Sequence, residues 1–242
     1  MDVVALGELL IDFTENGISS QGNPLFEANP GADMMLTEEE IPEELILETR
    51  IFHFGTLSMT HENVRRATKK AVAIAKQAGA IISFDPNIRE PLWNSMDEAR
   101  EQVLYGLGLC HILKISDNEI QWLTGKNDYT EAVKWIREKY DIPLILVSMG
   151  KEGSRAYYQD RMVEKAPFIN ENTIETTGAG DTFCACVLHY ICKHGLENLT
   201  EKNLKEMLTY ANAAASIITT RKGALRVMPR PEEIEALIAG HH

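Results

Sequence analysis

Short apolar runs alternate with segments of helical periodicity along most of the chain after residue 50. The runs are rich in β-branched and aromatic residues, which favour strands, whereas residues 62–77 place Val64, Ala67 and Ala71 on one face of a helix. We predict strands over residues 51–55, 81–85, 111–115 and 144–148, a hairpin over 155–163, and helices over 62–77, 96–109, 117–123, 131–140, 180–194 and 201–218, with a last helix after Pro231. This order indicates an α/β fold with a mainly parallel central sheet, whose ligands bind at the carboxyl ends of the strands.

Residues 15–50 differ from the rest of the chain. They contain six glycines and prolines and an acidic run at residues 38–40, and they show no sustained period. This composition predicts a long stretch that is rich in loops.

The charge balance restricts the partners of the chain. Its 242 residues contain 24 Lys and Arg against 36 Asp and Glu, which gives a net charge of −12. An acidic protein binds nucleic acid and anionic membrane surfaces poorly, so we expect neither as a partner. A small anionic ligand stays compatible with this charge, because backbone N–H groups attract phosphate locally.

The location of the protein is predicted from the absence of membrane-spanning and signal segments and from the spacing of its cysteines. No segment has the roughly 20 apolar residues that a bilayer-spanning helix needs, and residues 1–6 lack the basic and apolar regions of a signal peptide. Four cysteines without Cys-x-x-Cys spacing favour reduced thiols over disulfides or a zinc site, so we expect a cytoplasmic protein. One domain is predicted over residues 1–240, and His241 with His242 resembles the remains of a purification tag.

The sequence Thr-Thr-Gly-Ala-Gly-Asp-Thr-Phe over residues 176–183 leads directly into an apolar predicted helix. Glycines at a helix start let the backbone approach a ligand closely, and the N–H groups and dipole of the helix attract an anion there. Asp181 in the first turn is suited to take a proton from a hydroxyl group that attacks phosphorus. The alternative is that Asp181 only complements the helix dipole and that Gly178 and Gly180 only form a turn.

Residues 176–183 resemble the C-terminal signature of the PfkB, or ribokinase-like, carbohydrate kinases, and within them of the fructokinase-like branch. Neither a Walker motif nor a Gly-x-Gly-x-x-Gly after the first strand is present. The resemblance implies a ribokinase-like three-layer α/β/α fold and ATP-dependent phosphorylation of a sugar hydroxyl, with fructose favoured. It also implies that Asp181 is the general base and that the N–H groups of Gly178, Ala179 and Gly180 form an anion hole for the phosphoryl group. The implied cofactors are ATP and Mg²⁺, with a monovalent cation as a further option.

Three segments resemble the sugar-binding side of this family. Asp12, in Gly-Glu-Leu-Leu-Ile-Asp-Phe over residues 7–13, resembles the aspartate that holds sugar hydroxyls, and Gly31 ends an Asn-Pro-Gly turn on the same side. Arg89 ends the sequence Asp-Pro-Asn-Ile-Arg, which in the family lies near substrate and phosphate. Plainer alternatives are a strand-end aspartate for Asp12 and a turn with a surface arginine for Arg89.

The nucleotide side of the resemblance begins at Glu119, where the family carries a glutamate that organises magnesium-bound water. Residues 116–119, Ser-Asp-Asn-Glu, also match a capping box, and both roles can hold at once. The resemblance assigns five further residues to the nucleotide: Ser148, Gly150, Gly153, Asn212 and Gly223. The small residues that follow Asn212 are equally compatible with helix packing.

The resemblance is interrupted at residues 31–32, where members of the family carry an additional segment. That segment holds half of the sugar site and much of the lid, so we expect a lid that is largely absent, weak or no turnover, and a monomer or weak dimer. Two alternatives follow. The chain is a catalytically impaired nucleotide-binding remnant, or it is a kinase for another small substrate such as 2-keto-3-deoxygluconate, ribose or a nucleoside.

Overall fold

The computed structural model describes residues 1–6, 12–18, 24–29, 32–223 and 225–241. They form two compact units, Met1–Cys110 and His111–His242. The prediction of a single domain over residues 1–240 stays a prediction, and the units are described one at a time.

In the first unit the strands are β1 (Val3–Leu6), β2 (Asp12–Ile18), β3 (Pro24–Asn29), β4 (Ile51–Gly55) and β5 (Ile81–Asp85), and the helices are α1 (Glu43–Leu47), α2 (Glu62–Gln77) and α3 (Met96–Leu107). Strand β4 pairs in parallel with β1 on one side and with β5 on the other. Phe54 and Phe84 lie in these two neighbouring strands, fully buried, with ring centroids 4.8 Å apart. The bounds of β4, α2 and β5 agree with the prediction, because each element has its own period and stop signal.

Strands β2 and β3 form a separate antiparallel pair, with a register irregularity between Glu15 and Ile18. The prediction of a loop-rich stretch was therefore wrong for residues 15–18 and 24–29. An antiparallel pair is held together by backbone hydrogen bonds, which leave no pattern in the sequence when neither face is uniformly apolar. The expectation that the lid is largely absent stays a prediction.

In the second unit the strands are β6 (Ile112–Ser116), β7 (Leu144–Ser148), β8 (Ser154–Tyr158) and β9 (Arg161–Lys165), and the helices are α4 (Asp117–Thr124), α5 (Tyr129–Arg137), α6 (Ala179–His194), α7 (Glu201–Ile218) and α8 (Pro231–Ala239). Strand β7 is parallel to β6 and antiparallel to β8, and the predicted hairpin joins β8 to β9. Gln159 in its turn has a φ of 51°.

The helices of the second unit begin where polar side chains cap them. The side chain of Asp128 accepts a hydrogen bond from the N–H of Glu131, so α5 begins at Tyr129, two residues earlier than predicted. The apolar face of α6 is buried through Phe183, Val187 and Ile191. Helix α6 packs against α7, which also packs against β9 and α8.

Parallel strands connected by helices in both units confirm the α/β class. Within the described ranges, no helix is both long and apolar enough to cross a membrane.

Candidate active site

The loop before α6 positions the predicted phosphate cradle. Gly178 precedes the helix with a φ of 76°, a left-handed conformation that glycine adopts with little strain. The chain then enters a helix of 16 residues, whose first turn contains Ala179, Gly180 and Asp181. A helix of this length carries partial positive charge at its first turn, so the site attracts an anion.

The backbone N–H groups of this turn differ in whether they are free to bind an anion. Thr182 donates to the carbonyl oxygen of Gly178 at 2.8 Å, as the first regular helical bond, and Ala179 donates to the carbonyl oxygen of Thr176 at 3.2 Å. Helix geometry leaves the N–H groups of Gly180 and Asp181 without an intrahelical acceptor. These two groups are therefore available to form an anion hole. The N–H group of Ala179 could take its predicted place in the anion hole only if its hydrogen bond to the carbonyl oxygen of Thr176 were broken.

Asp181 is exposed at the start of α6, while Thr182 and Phe183 after it are buried and anchor the turn. An exposed carboxylate beside unpaired N–H groups can reach the hydroxyl of a bound substrate. The hydroxyl oxygen of Thr182 is buried and has no hydrogen-bond partner within the described part of the chain.

Lys114 lies next to the first turn of α6 and was not singled out from the sequence. It lies in β6 and is only 7% exposed. A Cβ atom built on Gly180 would lie 3.2 Å from the Nζ atom of Lys114. The signal was present in the sequence, since Lys114 interrupts the apolar run Ile112-Leu113-Lys114-Ile115.

Ser116 and Glu119 form the predicted capping box at the start of α4. The Oε2 atom of Glu119 accepts hydrogen bonds from the backbone N–H of Ser116 at 2.9 Å and from its hydroxyl at 2.8 Å. The described residues contain no group of three or more His, Cys, Asp or Glu that could hold a metal ion. This donor set fits Mg²⁺ bound chiefly by phosphate oxygens and water, with one carboxylate nearby.

Three serines lie side by side at the carboxyl end of the parallel strands. Ser116 of β6 is in register with Ser148 of β7, which is in register with Ser154 of β8. The structure thus brings Ser148 next to the capping box of α4. Ser154 is fully buried, and its hydroxyl donates to Oδ1 of Asn212 at 2.8 Å.

The two glycines of the turn after β7 have different surroundings. Gly150 has a φ of 52° and nothing within 4 Å of where a Cβ would be, so the turn is open there. Gly153 has a φ of 96°, and a Cβ on it would overlap the carbonyl oxygen of Lys165. Close packing of two chain segments therefore accounts for Gly153, and its predicted contact with a nucleotide stays a prediction.

Asn212 is fully engaged by the protein itself. Its side-chain amide donates to the carbonyl oxygens of Lys165 at 3.2 Å and Ala166 at 3.1 Å, in addition to accepting from Ser154. Ala213 and Ala214 are buried in a core cluster with Ile234 of α8. The packing alternative is confirmed for these small residues, and a role of Asn212 at the nucleotide stays a prediction.

Gly223 lies in a loop that is tied to the cradle loop. With a φ of 112°, it donates its N–H to the carboxylate of Glu175 at 2.8 Å. The N–H groups of Ile174 and Glu175 both donate to the carbonyl oxygen of Thr219. The segment after α7 and the segment that leads into residues 176–181 are thus held together, next to the predicted phosphate site.

The predicted sugar residues belong to the first unit. Asp12 is the first residue of β2, paired with Asn29, and Gly31 lies outside the described residues. Arg89 is exposed and donates to the carbonyl oxygen of Ile88 at 3.1 Å, two residues after Asn87, which has a φ of 47°. The sugar-binding roles of all three predicted residues stay predictions.

None of the four cysteines forms a disulfide in the structure. Burial raises the pKa of the Cys186 thiol to about 11 and also raises the pKa of Cys110. Both thiols are therefore neutral and unreactive near neutral pH.

The sequence and the fold of the chain are similar to those of known proteins. A family model described as "pfkB family carbohydrate kinase" matches residues 17–231. Fructokinase-1 of Zea mays is 39% identical over 214 residues, which cover 88% of this chain and 66% of that protein. The chain spans 61–66% of the length of the curated relatives that it matches.

Two crystal structures of fructokinases share the fold. The enzyme from Vibrio cholerae O395, bound to fructose, ADP and calcium ion, is 27% identical, with a TM-score of 0.77 over 94% of this chain and 71% of that chain. The enzyme from Xylella fastidiosa with bound ATP is 24% identical, with a TM-score of 0.81 over 93% of this chain and 72% of that chain.

Proposed function

Since the chain belongs to the pfkB family of carbohydrate kinases, we propose that it transfers the terminal phosphoryl group of ATP to a hydroxyl group of fructose. The observation that carries this proposal is the exposed carboxylate of Asp181 in the first turn of α6, beside the N–H groups of that turn. A base and an anion-binding turn in one place are the two parts that phosphoryl transfer to an alcohol requires.

In the proposed reaction, Asp181 accepts the proton of the attacking hydroxyl as its oxygen bonds to phosphorus. The bond from phosphorus to the bridging oxygen of ADP breaks, and ADP leaves with that electron pair. The N–H groups of Gly180 and Asp181 stabilise the charge on the phosphoryl oxygens. Mg²⁺, when bound, neutralises charge on the nucleotide phosphates, and Glu119 is the carboxylate placed to orient its water.

Fructose is favoured as the acceptor because the matched relative from maize is a fructokinase and the Vibrio enzyme is bound to fructose and ADP. The proposed cradle does not by itself select a sugar. Any hydroxyl group that is aligned with the phosphoryl group would contact the same base, Asp181, and the same N–H donors. Ribose, 2-keto-3-deoxygluconate and nucleosides are therefore the competing substrates. Sugar contacts by Asp12, Gly31 and Arg89 are part of the proposal, as is a cytoplasmic monomer or weak dimer.

A second candidate function is nucleotide binding with impaired catalysis. It is favoured by the extent of the match, which covers 66% of the maize relative. We infer from the sequence resemblance that the shortfall lies at residues 31–32, on the proposed sugar side. Loss of sugar contacts lowers turnover more than ATP affinity, because the acceptor is then poorly aligned with the phosphoryl group.

An assay for ADP release over a panel of sugars separates these functions. We expect ATP-dependent and Mg²⁺-dependent turnover with fructose above that with ribose, 2-keto-3-deoxygluconate or a nucleoside. Turnover far below that of the maize enzyme, together with ATP binding by calorimetry, would support the impaired form. Absence of ATP binding by calorimetry would contradict both candidates.

Glu119→Gln separates the capping role of Glu119 from its proposed magnesium role. Glutamine at this position preserves a capping box, so the melting temperature should stay close to that of the wild type. Loss of the carboxylate charge should weaken the ordering of metal-bound water, with a cost of about 10–100-fold in activity or in the Mg²⁺ concentration for half-maximal activity. Steady-state rates over a magnesium titration measure both quantities.

Glu119→Ala is the matched control, because it removes the capping box as well and should lower the melting temperature. If Glu119→Gln retains the wild-type magnesium dependence while Glu119→Ala only loses stability, Glu119 is a cap and nothing more.

A further inference from the structure

The turn that follows β5 has an uncommon backbone conformation. Asp85 ends the strand, Pro86 is buried, and Asn87 has a φ of 47°. Residues other than glycine seldom adopt this left-handed conformation, and where they do, the surrounding structure has to hold them in it. The turn lies at the carboxyl end of parallel strands, which is the edge where α/β proteins bind ligands. It leads directly to the exposed Arg89, a residue of the proposed sugar side.

Thr56 holds this turn from the neighbouring strand. It follows Gly55, the last residue of β4, and is fully buried. The carbonyl oxygen of Pro86 accepts two hydrogen bonds from Thr56, one from its hydroxyl at 2.6 Å and one from its backbone N–H at 3.2 Å. A buried hydroxyl is costly unless it forms a hydrogen bond, so the bond to Pro86 accounts for a threonine where valine would fill the same volume.

The loop after β4, which begins with Thr56, is itself fixed to helix α2. The hydroxyl of Thr68 donates to the carbonyl oxygen of Ser58 at 2.9 Å, and Nε of Arg65 donates to the carbonyl oxygen of Met59 at 2.7 Å. Met59 and Thr68 are fully buried, so these bonds lie in the core of the unit. Thr56 therefore connects the turn after β5 to a segment that is firmly anchored.

The two bonds from Thr56 restrict the backbone of Asn87. Because a peptide group is planar, the direction of the Pro86 carbonyl fixes the plane that also contains the N–H of Asn87. Rotation of that plane would change the φ of Asn87 and the course of the chain toward Arg89. The hydroxyl of Thr56 opposes this rotation through the shorter of the two bonds.

We propose that Thr56 is a positioning residue for the phosphoryl acceptor: its hydroxyl holds the turn after β5 and thereby sets where the side chain of Arg89 meets the sugar. This inference rests on the proposed kinase function and on the proposed sugar contact of Arg89. Thr56 is fully buried and acts through the turn, without touching the sugar. Its hydroxyl therefore affects the alignment of the acceptor and leaves the binding of ATP unchanged.

Thr56→Val tests the proposal, because valine keeps the volume of the side chain and removes its hydroxyl. We expect kcat/KM for fructose to fall by about 10–100-fold, since a small displacement of a substrate-positioning group misaligns the reactants. The KM for ATP, and ATP binding by calorimetry, should stay within a few-fold of the wild type. Thr56→Ser keeps the hydroxyl and should retain most of the activity with fructose.

Thr49→Val is the matched control, near the opposite end of β4. The hydroxyl of the buried Thr49 donates to the carbonyl oxygen of Ile51 at 3.0 Å, so this variant also loses one buried hydrogen bond. Both valine variants should lower the melting temperature to a similar degree. Thr49→Val should nevertheless leave kcat/KM for fructose unchanged. An equal fall of kcat/KM in both variants would assign the Thr56 hydroxyl to stability alone and overturn the proposal.

Asn87→Ala and Asn87→Gly test the same turn if Thr56→Val does not fold. Both remove the side chain, but only alanine disfavours a φ of 47°. We expect a low kcat/KM for fructose with alanine and a value near the wild type with glycine, and equal values would contradict the proposal. Wild-type kcat/KM in a folded Thr56→Val would overturn the positioning role and leave the kinase function intact. Absence of fructose turnover by the wild-type protein would overturn both.

Discussion

Asp181→Asn is expected to lower the rate of ATP-dependent fructose phosphorylation by about 10²–10⁴-fold, the contribution typical of a general base. Asparagine has the same shape and leaves the first turn of α6 in place, but its amide does not accept the proton of the attacking hydroxyl. ATP affinity should change little, because the N–H donors of the turn remain. Turnover by ADP release and ATP binding by calorimetry measure the two effects separately.

Asp160→Asn is the control for the change of charge, because Asp160 is exposed in the turn between β8 and β9. It should leave turnover unchanged. If Asp181→Asn retains a rate within a few-fold of the wild type, Asp181 is a first-turn acid that only complements the helix dipole. That was the simpler alternative for this residue.

Gly153→Ala is expected to lower the free energy of unfolding by about 2–5 kcal/mol, combining overpacking with a strained backbone conformation. The added methyl group would overlap the carbonyl oxygen of Lys165 and lie 3.0 Å from the carbonyl carbon of Ala166. Both are backbone atoms that cannot move away as a flexible side chain would. The φ of 96° adds strain for any residue with a Cβ. Chemical denaturation of the purified variant measures the loss.

Gly150→Ala is the matched control in the same turn. Its φ of 52° is also left-handed, but open space surrounds the position where the Cβ would be. The cost should be about 1–2 kcal/mol, from conformation alone. Equal losses for the two variants would show that the segment at Lys165 yields to the methyl group, and close packing would then not explain Gly153.

Elements with a strong local signal were predicted almost to the residue. Helix α2 has its apolar face at the predicted positions, and Gly79 after it has the left-handed φ of a helix terminator. Helix α3 begins at its predicted residue, Met96, where the side chain of Ser95 caps it by accepting a hydrogen bond from the N–H of Glu98. The capping box of Ser116 and Glu119 was likewise visible, because all its atoms lie within four consecutive residues.

Structural features that depend on distant partners were missed. Strands β2 and β3 lie in a stretch predicted as loops, because they are stabilised by pairing with each other. The hydrogen bonds of the Asn212 side chain with Ser154, Lys165 and Ala166, which lie 46 to 58 positions away, were not predicted, and its role at the nucleotide stays a prediction. No local sequence pattern predicts contacts between residues so far apart in the chain.

The sequence by itself determined the α/β class and the helix start that bears Gly178, Gly180 and Asp181, because periodicity and a helix-start motif are local properties of neighbouring residues. Only the tertiary structure decided which N–H groups of that turn are available, why position 153 must be glycine, and that Lys114 reaches Gly180. Each of these depends on atoms that folding brings together from distant parts of the chain. The predicted phosphate cradle is thus contained in eight consecutive residues, whereas the proximity of Lys114 on β6 to Gly180 was visible only in the folded chain.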